Sequence, residues 1–366
     1  MGIQAVYQKY PLQFKFNAGT SRGVLTEKDS YFIKILDKHN PSSFGLGECS
    51  PLKGLSIDDL PDFEAHLREI CAAFSQVQPS FCAWDIPRVV RELVGNQFPS
   101  IQFGFETALL DCRNGGKRII FDNDFVRGLQ PIEINGLIWM GDEEWMRGQI
   151  DQKLKEGYRC LKMKIGAIDF ERELALLTDI RRQYGPEQIT LRVDANGAFS
   201  ASEAPEKLER LASLKLHSIE QPIRAGQMTP MAQLCRQSPL PIALDEELIG
   251  ISDVDDKRHL LENIRPQYII LKPTLLGGFE HCREWMALAG EMGIGWWITS
   301  ALESNVGLNA ISQFTAEFDS PLPQGLGTGQ LYTNNIESPL RIAQGKLNYE
   351  QHQHWDTRFL QRLAEE

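Results

Sequence analysis

The sequence predicts an α/β protein: a (β/α)8-type barrel preceded by a small α+β domain. From about residue 130, short apolar strands alternate with amphipathic helices. The polar residues at the strand ends fall at Asn135, Lys162, Asp194, Glu220, Asp245, Lys272 and Thr299, in steps of 27, 32, 26, 25, 27 and 27 residues. That beat is one strand plus one helix, and a barrel built from such units needs roughly 200–250 residues. No G-x-G-x-x-G follows any strand, which disfavours the alternative, an open doubly wound sheet with its phosphate-binding turn.

Taken in order, "AVYQKYPLQFKF" (5–16), "SYFIKILDK" (30–38) and "SFGLGECSPL" (43–52) alternate apolar and polar residues and read as an antiparallel meander. The glycine-bearing "NAGTSRG" (17–23) between the first two is either a hairpin turn or a lid. Helical spacing follows at 57–78 and 99–114, and the texture changes after "RNGGKR" (113–118). The barrel strands are expected at 133–139, 160–166, 189–197, 216–222, 240–247, 267–273 and 295–304, with a shorter eighth near 324–329. The expected organisation is an α+β domain over 1–125, a barrel over 126–335, and a tail over 336–366 that packs back on the first domain.

The chain has 366 residues, 42% hydrophobic and 24% charged, with a net charge of -11. Such an acidic body is repelled by nucleic acid and by anionic membrane, so neither is an expected partner. The seven cysteines (Cys49, Cys71, Cys82, Cys112, Cys160, Cys235 and Cys282) are scattered, with no C-x-x-C pair. They read as reduced thiols of a cytoplasmic protein. The N-terminal stretch alternates like a strand and lacks the apolar core of a signal peptide, and no run is long enough to span a bilayer.

The strand ends carry the chemistry. In a parallel barrel they open on one mouth. Asp194, Glu220 and Asp245 end three consecutive strands, which lie about 4.8 Å apart. Three carboxylates in one small volume repel unless one holds a proton or a cation sits among them. An all-oxygen set favours Mg²⁺ or Mn²⁺ over Zn²⁺. Read singly, each acid is equally a helix cap or a surface residue. Lys162 and Lys164, two apart, share a face, and Lys272 stands on the far side of the carboxylates. The alternative for these lysines is structural ion pairing or snorkelling at the rim. Metal and opposed lysines suit removal of a weakly acidic proton beside a carboxylate. A lysine acting as base must first be neutral, and nearby cations lower its pKa.

The words "KMK", "DAN", "EQP", "DEE" and "KP", in this order and spacing over nearly the whole chain, resemble the enolase superfamily and its muconate-lactonising subgroup. For that superfamily a Lys or His base with Mg²⁺ on an ene-diolate is established chemistry. The resemblance implies a (β/α)7β modified barrel with a capping domain made by the N-terminal region and the C-terminal tail. It implies a small carboxylate substrate and Mg²⁺ held by Asp194, Glu220 and Asp245. It implies Lys164 as acid/base, Lys272 opposite it, and Lys162 and Arg192 as positive charge near the substrate carboxylate. Asn196 lines the same mouth. "INGLIWMG" (134–141), "SALESNVGLNAI" (300–311) and "GLGTGQLYTNN" (325–335) resemble a dehydratase branch of the subgroup. A racemase or epimerase would use the same lysines, so the catalytic set leaves both open. Distinction is expected from the pocket: residues 17–23, Ser300 and the 324–329 strand. Ser300 reads equally as a helix cap. Glu303 reads as structural, and Glu246 as an ion-pair partner rather than a ligand.

Overall fold

The protein is described from a computed structural model, which covers residues 3–20, 23–37, 40–76 and 85–360. Three antiparallel strands open the chain: β1 (Ile3–Thr20), β2 (Gly23–Asp37) and β3 (Asn40–Cys49), in the order β1-β2-β3. The meander is longer than expected because β1 and β2 pair out to Thr20 and Gly23, which puts Ala18–Thr20 and Gly23 in a hairpin; Ser21 and Arg22 of the 17–23 segment lie outside the described residues. Helices α1 (Phe63–Gln76), α2 (Ile86–Val94) and α3 (Pro99–Arg113) cover one face of this sheet. α2 escaped the sequence reading. It has nine residues, and the apolar spacing of Ile86, Val90 and Val94 is its only strong mark. Its start is set by the Asp85 side chain, which accepts from the Arg88 amide, and by proline in the first turn.

The barrel begins with β4 (Ile132–Glu133) and β5 (Gly136–Ile138), then α4 (Glu143–Lys155), β6 (Cys160–Lys164), α5 (Phe170–Gln183) and β7 (Thr190–Asp194). It continues with α6 (Ala204–Ala212), β8 (Ser218–Glu220), α7 (Met228–Gln237), β9 (Ile242–Leu244) and α8 (Val254–Ile264). β10 (Tyr268–Leu271), α9 (Pro273–Leu276), α10 (Phe279–Glu291), β11 (Gly295–Ile298) and α11 (Asn305–Thr315) complete it. β5 to β11 form one parallel seven-stranded sheet in chain order. Gln324 and Gly325 close it, bridging Ile134 on one side and Thr299 on the other. The eighth strand is therefore only a pair of bridges, which makes the barrel (β/α)7β. Most strands are shorter than the expected stretches: Lys164, Asp194 and Glu220 are the last residues of β6, β7 and β8, and the chain beyond them is no longer strand.

The pleat of β6 sorts its side chains. Leu161 and Met163, with Ile165 just beyond, pack in the main core, while Lys162 and Lys164 face inward. Burying one such apolar side chain is worth about 1.5–3 kcal/mol, and a one-residue slip would send both lysines into that core.

The tail divides its contacts. β12 (Leu340–Ala343) pairs with β13 (Lys346–Tyr349), and β13 with β4, in a three-stranded antiparallel sheet beside the barrel. Beyond them Trp355, Phe359 and Leu360 pack on Phe32 and Leu46 of the first domain. The expected return of the tail thus rests on residues 355–360, and 361–366 lie outside the described residues, as does Cys82.

β3 and α3 meet at glycine. A Cβ at Gly47 would collide with the Gly104 carbonyl oxygen, and one at Gly45 with that of Ala108. Both contacts are backbone, which cannot swing aside. Gly47→Ala is therefore expected to destabilise the protein by about 3 kcal/mol, read as a lower urea midpoint with an unchanged m value.

Candidate active site

β6 and β7 pair with Lys162 opposite Arg192 and Lys164 opposite Asp194, and β7 and β8 pair with Asp194 opposite Glu220. β8 pairs with β9 so that Glu220 meets Ala243, and Asp245 lies two residues on, on the same face. The register alone therefore gathers the three carboxylates. All are almost fully buried, at 1–2% exposure.

Buried carboxylates need partners, and here lysines supply them. Lys162 Nζ donates to Asp194 Oδ2 at 3.2 Å and to Glu220 Oε2 at 2.7 Å. Lys164 Nζ donates to Asp194 Oδ2 at 3.2 Å and to Asn196 Oδ1 at 2.7 Å. Lys272 Nζ donates to Asp245 Oδ2 and lies 4.0 Å from Glu220 Oε1. Burial raises Asp194, but Lys162, Lys164 and Lys272 outweigh it and hold the carboxyl below the usual range. Burial and then the Asp194 charge push Glu220 up to about 8. Burial also raises Asp245, against the pull of Lys272. Lys162 and Lys272 are both raised: burial lowers them, but the surrounding carboxylates prevail.

Whether the three acids suit a divalent cation can be tested on their free atoms. Glu220 Oε1 is buried without a hydrogen-bond partner, an acceptor left over in the middle of the set. Among the described residues no three acidic, His or Cys side chains already converge as a cage, because the Lys162 and Lys272 ammoniums fill the space between them. An all-oxygen donor set with one unspent oxygen fits a hard divalent ion.

Lys162, Lys164, Asp194, Asn196, Lys272 and Ser300 all line one cavity of about 700 Å³. Glu220 and Asp245 lie behind the ammoniums of Lys162 and Lys272. Asn196 is held at a positive φ of 42°, donates to Glu246 Oε1 at 2.9 Å, and accepts from Lys164, so it fixes where that ammonium points. Glu246 accepts from this amide, and its negative charge is among those that raise Lys272. The Ser300 hydroxyl bonds that of Thr328. The cap of α11 is Ser304, whose side chain accepts from the Val306 amide, so of the two roles open to Ser300 the structure has it at the cavity.

Arg192, which the resemblance sets near the substrate carboxylate, does not line the cavity. Two residues before Asp194 on the same inward face, it falls one layer deeper in the barrel. There its guanidinium lies 4.0 Å over the Trp297 ring and donates from Nη1 to the Pro323 carbonyl at 2.8 Å.

The cavity's apolar walls escaped the sequence reading. Phe16, Val24 and Leu25 reach it from the hairpin, Leu52 and Leu55 from the turn after β3, and Trp139, Leu302 and Leu331 from the barrel. Apolar residues in turns carry no periodic signal. The hairpin tip bridges Met140 through Gly19, so it sits on the barrel mouth.

The sign of the Glu220 shift makes a prediction. A carboxyl raised in the folded state is bound to its proton more tightly there than in the unfolded chain, so stability falls as pH climbs from 4.5 through about 8. Cation-free protein should show its thermal midpoint dropping over that window, and Glu220→Gln should flatten the slope.

Known proteins bear on this site. The enolase C-terminal domain-like family matches residues 145–352. An o-succinylbenzoate synthase of Desulfotalea psychrophila is 48% identical, over 94% of this chain and 99% of its own. The crystal structure of MenC from Desulfotalea psychrophila superposes with a TM-score of 0.86 at 44% identity, covering 95% of this chain and all of that one. Muconate lactonizing enzyme from Pseudomonas putida shares the fold, at a TM-score of 0.78 and 20% identity over 99% of each chain. With its parallel barrel, antiparallel cap and strand-end carboxylates and lysines, the chain belongs to the enolase superfamily.

Proposed function

We propose that the protein acts as an o-succinylbenzoate synthase in menaquinone biosynthesis. It would convert 2-succinyl-6-hydroxy-2,4-cyclohexadiene-1-carboxylate to 2-succinylbenzoate by syn-dehydration through an enediolate. The observation that carries this reading is the likeness, over 94% of this chain, to the Desulfotalea o-succinylbenzoate synthase, and the placement of Lys164 and Lys272 fits its proton chemistry. β6 and β10 stand four positions apart in a ring of eight, counting the Gln324–Gly325 bridge, so the two ammoniums enter one cavity from opposite walls. Full-length likeness to the Desulfotalea enzyme supports the choice of substrate.

Lys164, in its neutral form, takes the α-proton, with its Nζ steered by the Asn196 amide oxygen. Negative charge then develops on the substrate carboxylate, and Lys272 faces it as a fixed cation. Lys164, now protonated, returns the proton to the departing hydroxyl on the same face. One C–H and one C–O bond break, water leaves, and the ring becomes aromatic. Mg²⁺, with Mn²⁺ as a substitute, would be held by Asp194, Glu220 and Asp245 and would supply further positive charge at the substrate carboxylate. Lys162 keeps that acidic set neutralised from below. Ser300 and Asn196 line the same cavity and would meet the ring substituents, and the Trp139, Leu52 and Leu302 walls would keep water from the reacting carbon.

Reduced, dispersed cysteines support a cytoplasmic setting, and among the described residues no helix is long and apolar enough to cross a membrane. Because both lysines reach the cavity, N-succinylamino-acid racemisation, dipeptide epimerisation or cycloisomerisation is the second reading, with each lysine serving one face.

Purified protein with Mg²⁺ should turn the cyclohexadiene carboxylate into an aromatic product, followed by ultraviolet absorbance. Lys164→Ala should lower kcat by about 10²–10⁴-fold, and chelation of the metal should abolish turnover. α-Hydrogen exchange on N-succinylamino acids without any dehydration would replace this reading with the second.

A further inference from the structure

Among the buried charged groups outside the strand-end site, those around Glu48 span the two domains. Glu48, at the end of β3, is fully buried. Its Oε1 accepts from the Ser30 hydroxyl at 2.6 Å and from the Ser304 amide at 2.9 Å. Its Oε2 accepts from the Ser304 hydroxyl and from the Gly307 amide at 2.8 Å. A cap-domain carboxylate therefore sits on the first turn of α11, where unpaired amides and the helix dipole favour an anion. Lys28 is buried close by on β2, with its Nζ on the Ser50 carbonyl at 3.1 Å and on the Ser50 hydroxyl.

The cluster reaches the active site along the chain. Glu303, next to Ser304, is also fully buried. Its Oε2 accepts from the Ala301 amide at 2.8 Å, and its Oε1 from the hydroxyl of Thr274, two residues past Lys272. Leu302, between them, holds a positive φ of 66° and gives its carbonyl to the Tyr332 hydroxyl at 2.6 Å. Ser300, Ala301 and Leu302 are cavity wall. On the cap side, Ser50 leads directly into Leu52–Leu55, which is also cavity wall.

We infer that Glu48 is a positioning residue for substrate binding: through Ser304 it registers the Ser300–Leu302 wall against the cap turn at Leu52–Leu55. The chemistry demands a carboxylate. Four donors converge on its two oxygens, so only an acceptor-only group satisfies all of them. An amide would turn its NH₂ onto either the Ser304 amide or the Gly307 amide, leaving buried donors facing each other. No catalytic atom touches Glu48, so its effect falls on where the wall stands rather than on proton transfer.

This inference rests on the cavity being the substrate site, and its test separates the two. Hydrogen–deuterium exchange without substrate should find the 300–304 amides of Glu48→Gln opening about tenfold faster than wild type, with the β6 and β7 amides unchanged. At a temperature where the variant is fully folded, KM should rise about tenfold or more, kcat should stay within about threefold, and the pH profile should not move. Ser304→Ala, a milder change, should shift both readouts in the same direction and serves if Glu48→Gln does not fold. Unchanged KM in a folded variant overturns the inference, as does a fall in kcat alone, which marks a purely structural role. If wild type does not turn over the cyclohexadiene carboxylate, the proposed reaction fails, and the exchange experiment decides the role of Glu48 by itself.

Discussion

The active half of this barrel depends on one electrostatic constraint: three buried carboxylates on neighbouring strands must be neutralised from inside the ring. Register brings Asp194 and Glu220 face to face, with Asp245 beside them. Nothing in the hydrophobic core can hold such a cluster together. Lys162 bridges the first two acids, and Lys272 closes on the third. Removing one partner of such a buried group leaves an uncompensated charge and costs several kcal/mol, so lysines and acids are interdependent. Whatever cation or substrate carboxylate enters must compete with contacts that are already charged on both sides.

Around this centre the two domains divide the labour. Chemistry-bearing side chains come from the ends of regular parallel strands, whose ladders fix them in space. Shape comes from the hairpin, the turn after β3 and the segments after β11. These are irregular, and their placement relies on side-chain networks rather than on ladders. The Glu48 cluster is the clearest instance, with a carboxylate from one domain capping a helix of the other.

Much of the site could be read from the sequence because strand-end residues obey a period. Lys162, Lys164, Asp194, Glu220, Asp245 and Lys272 fall at a steady spacing with matching polarity, and parallel pairing then leaves them little choice of location. Arg192 shows where that logic stops: it pairs with Lys162 across β6 and β7, yet Lys162 lines the cavity and Arg192 does not. The cavity walls were illegible for a different reason. Leu52, Leu302 and Leu331 lie in turns, where an apolar residue reports neither a period nor a partner. The tie from Glu48 to Ser304 spans 256 positions, a distance at which only three-dimensional closure can disclose a contact. α2 was missed because nine residues offer few repeats to detect.

The closure of the barrel has a consequence of its own. Seven strands form continuous ladders, but the ring is completed by Gln324 and Gly325 alone, with Gly325 pressed so tightly on Thr299 that a side chain there would strike the Thr299 hydroxyl. This seam adjoins Ser300 and Thr328, which are wall, and stands apart from β6–β9, which carry the acids. A family built this way can recut the pocket along its seam while the strands that hold the charges keep their register, so one catalytic core can serve substrates of different outline.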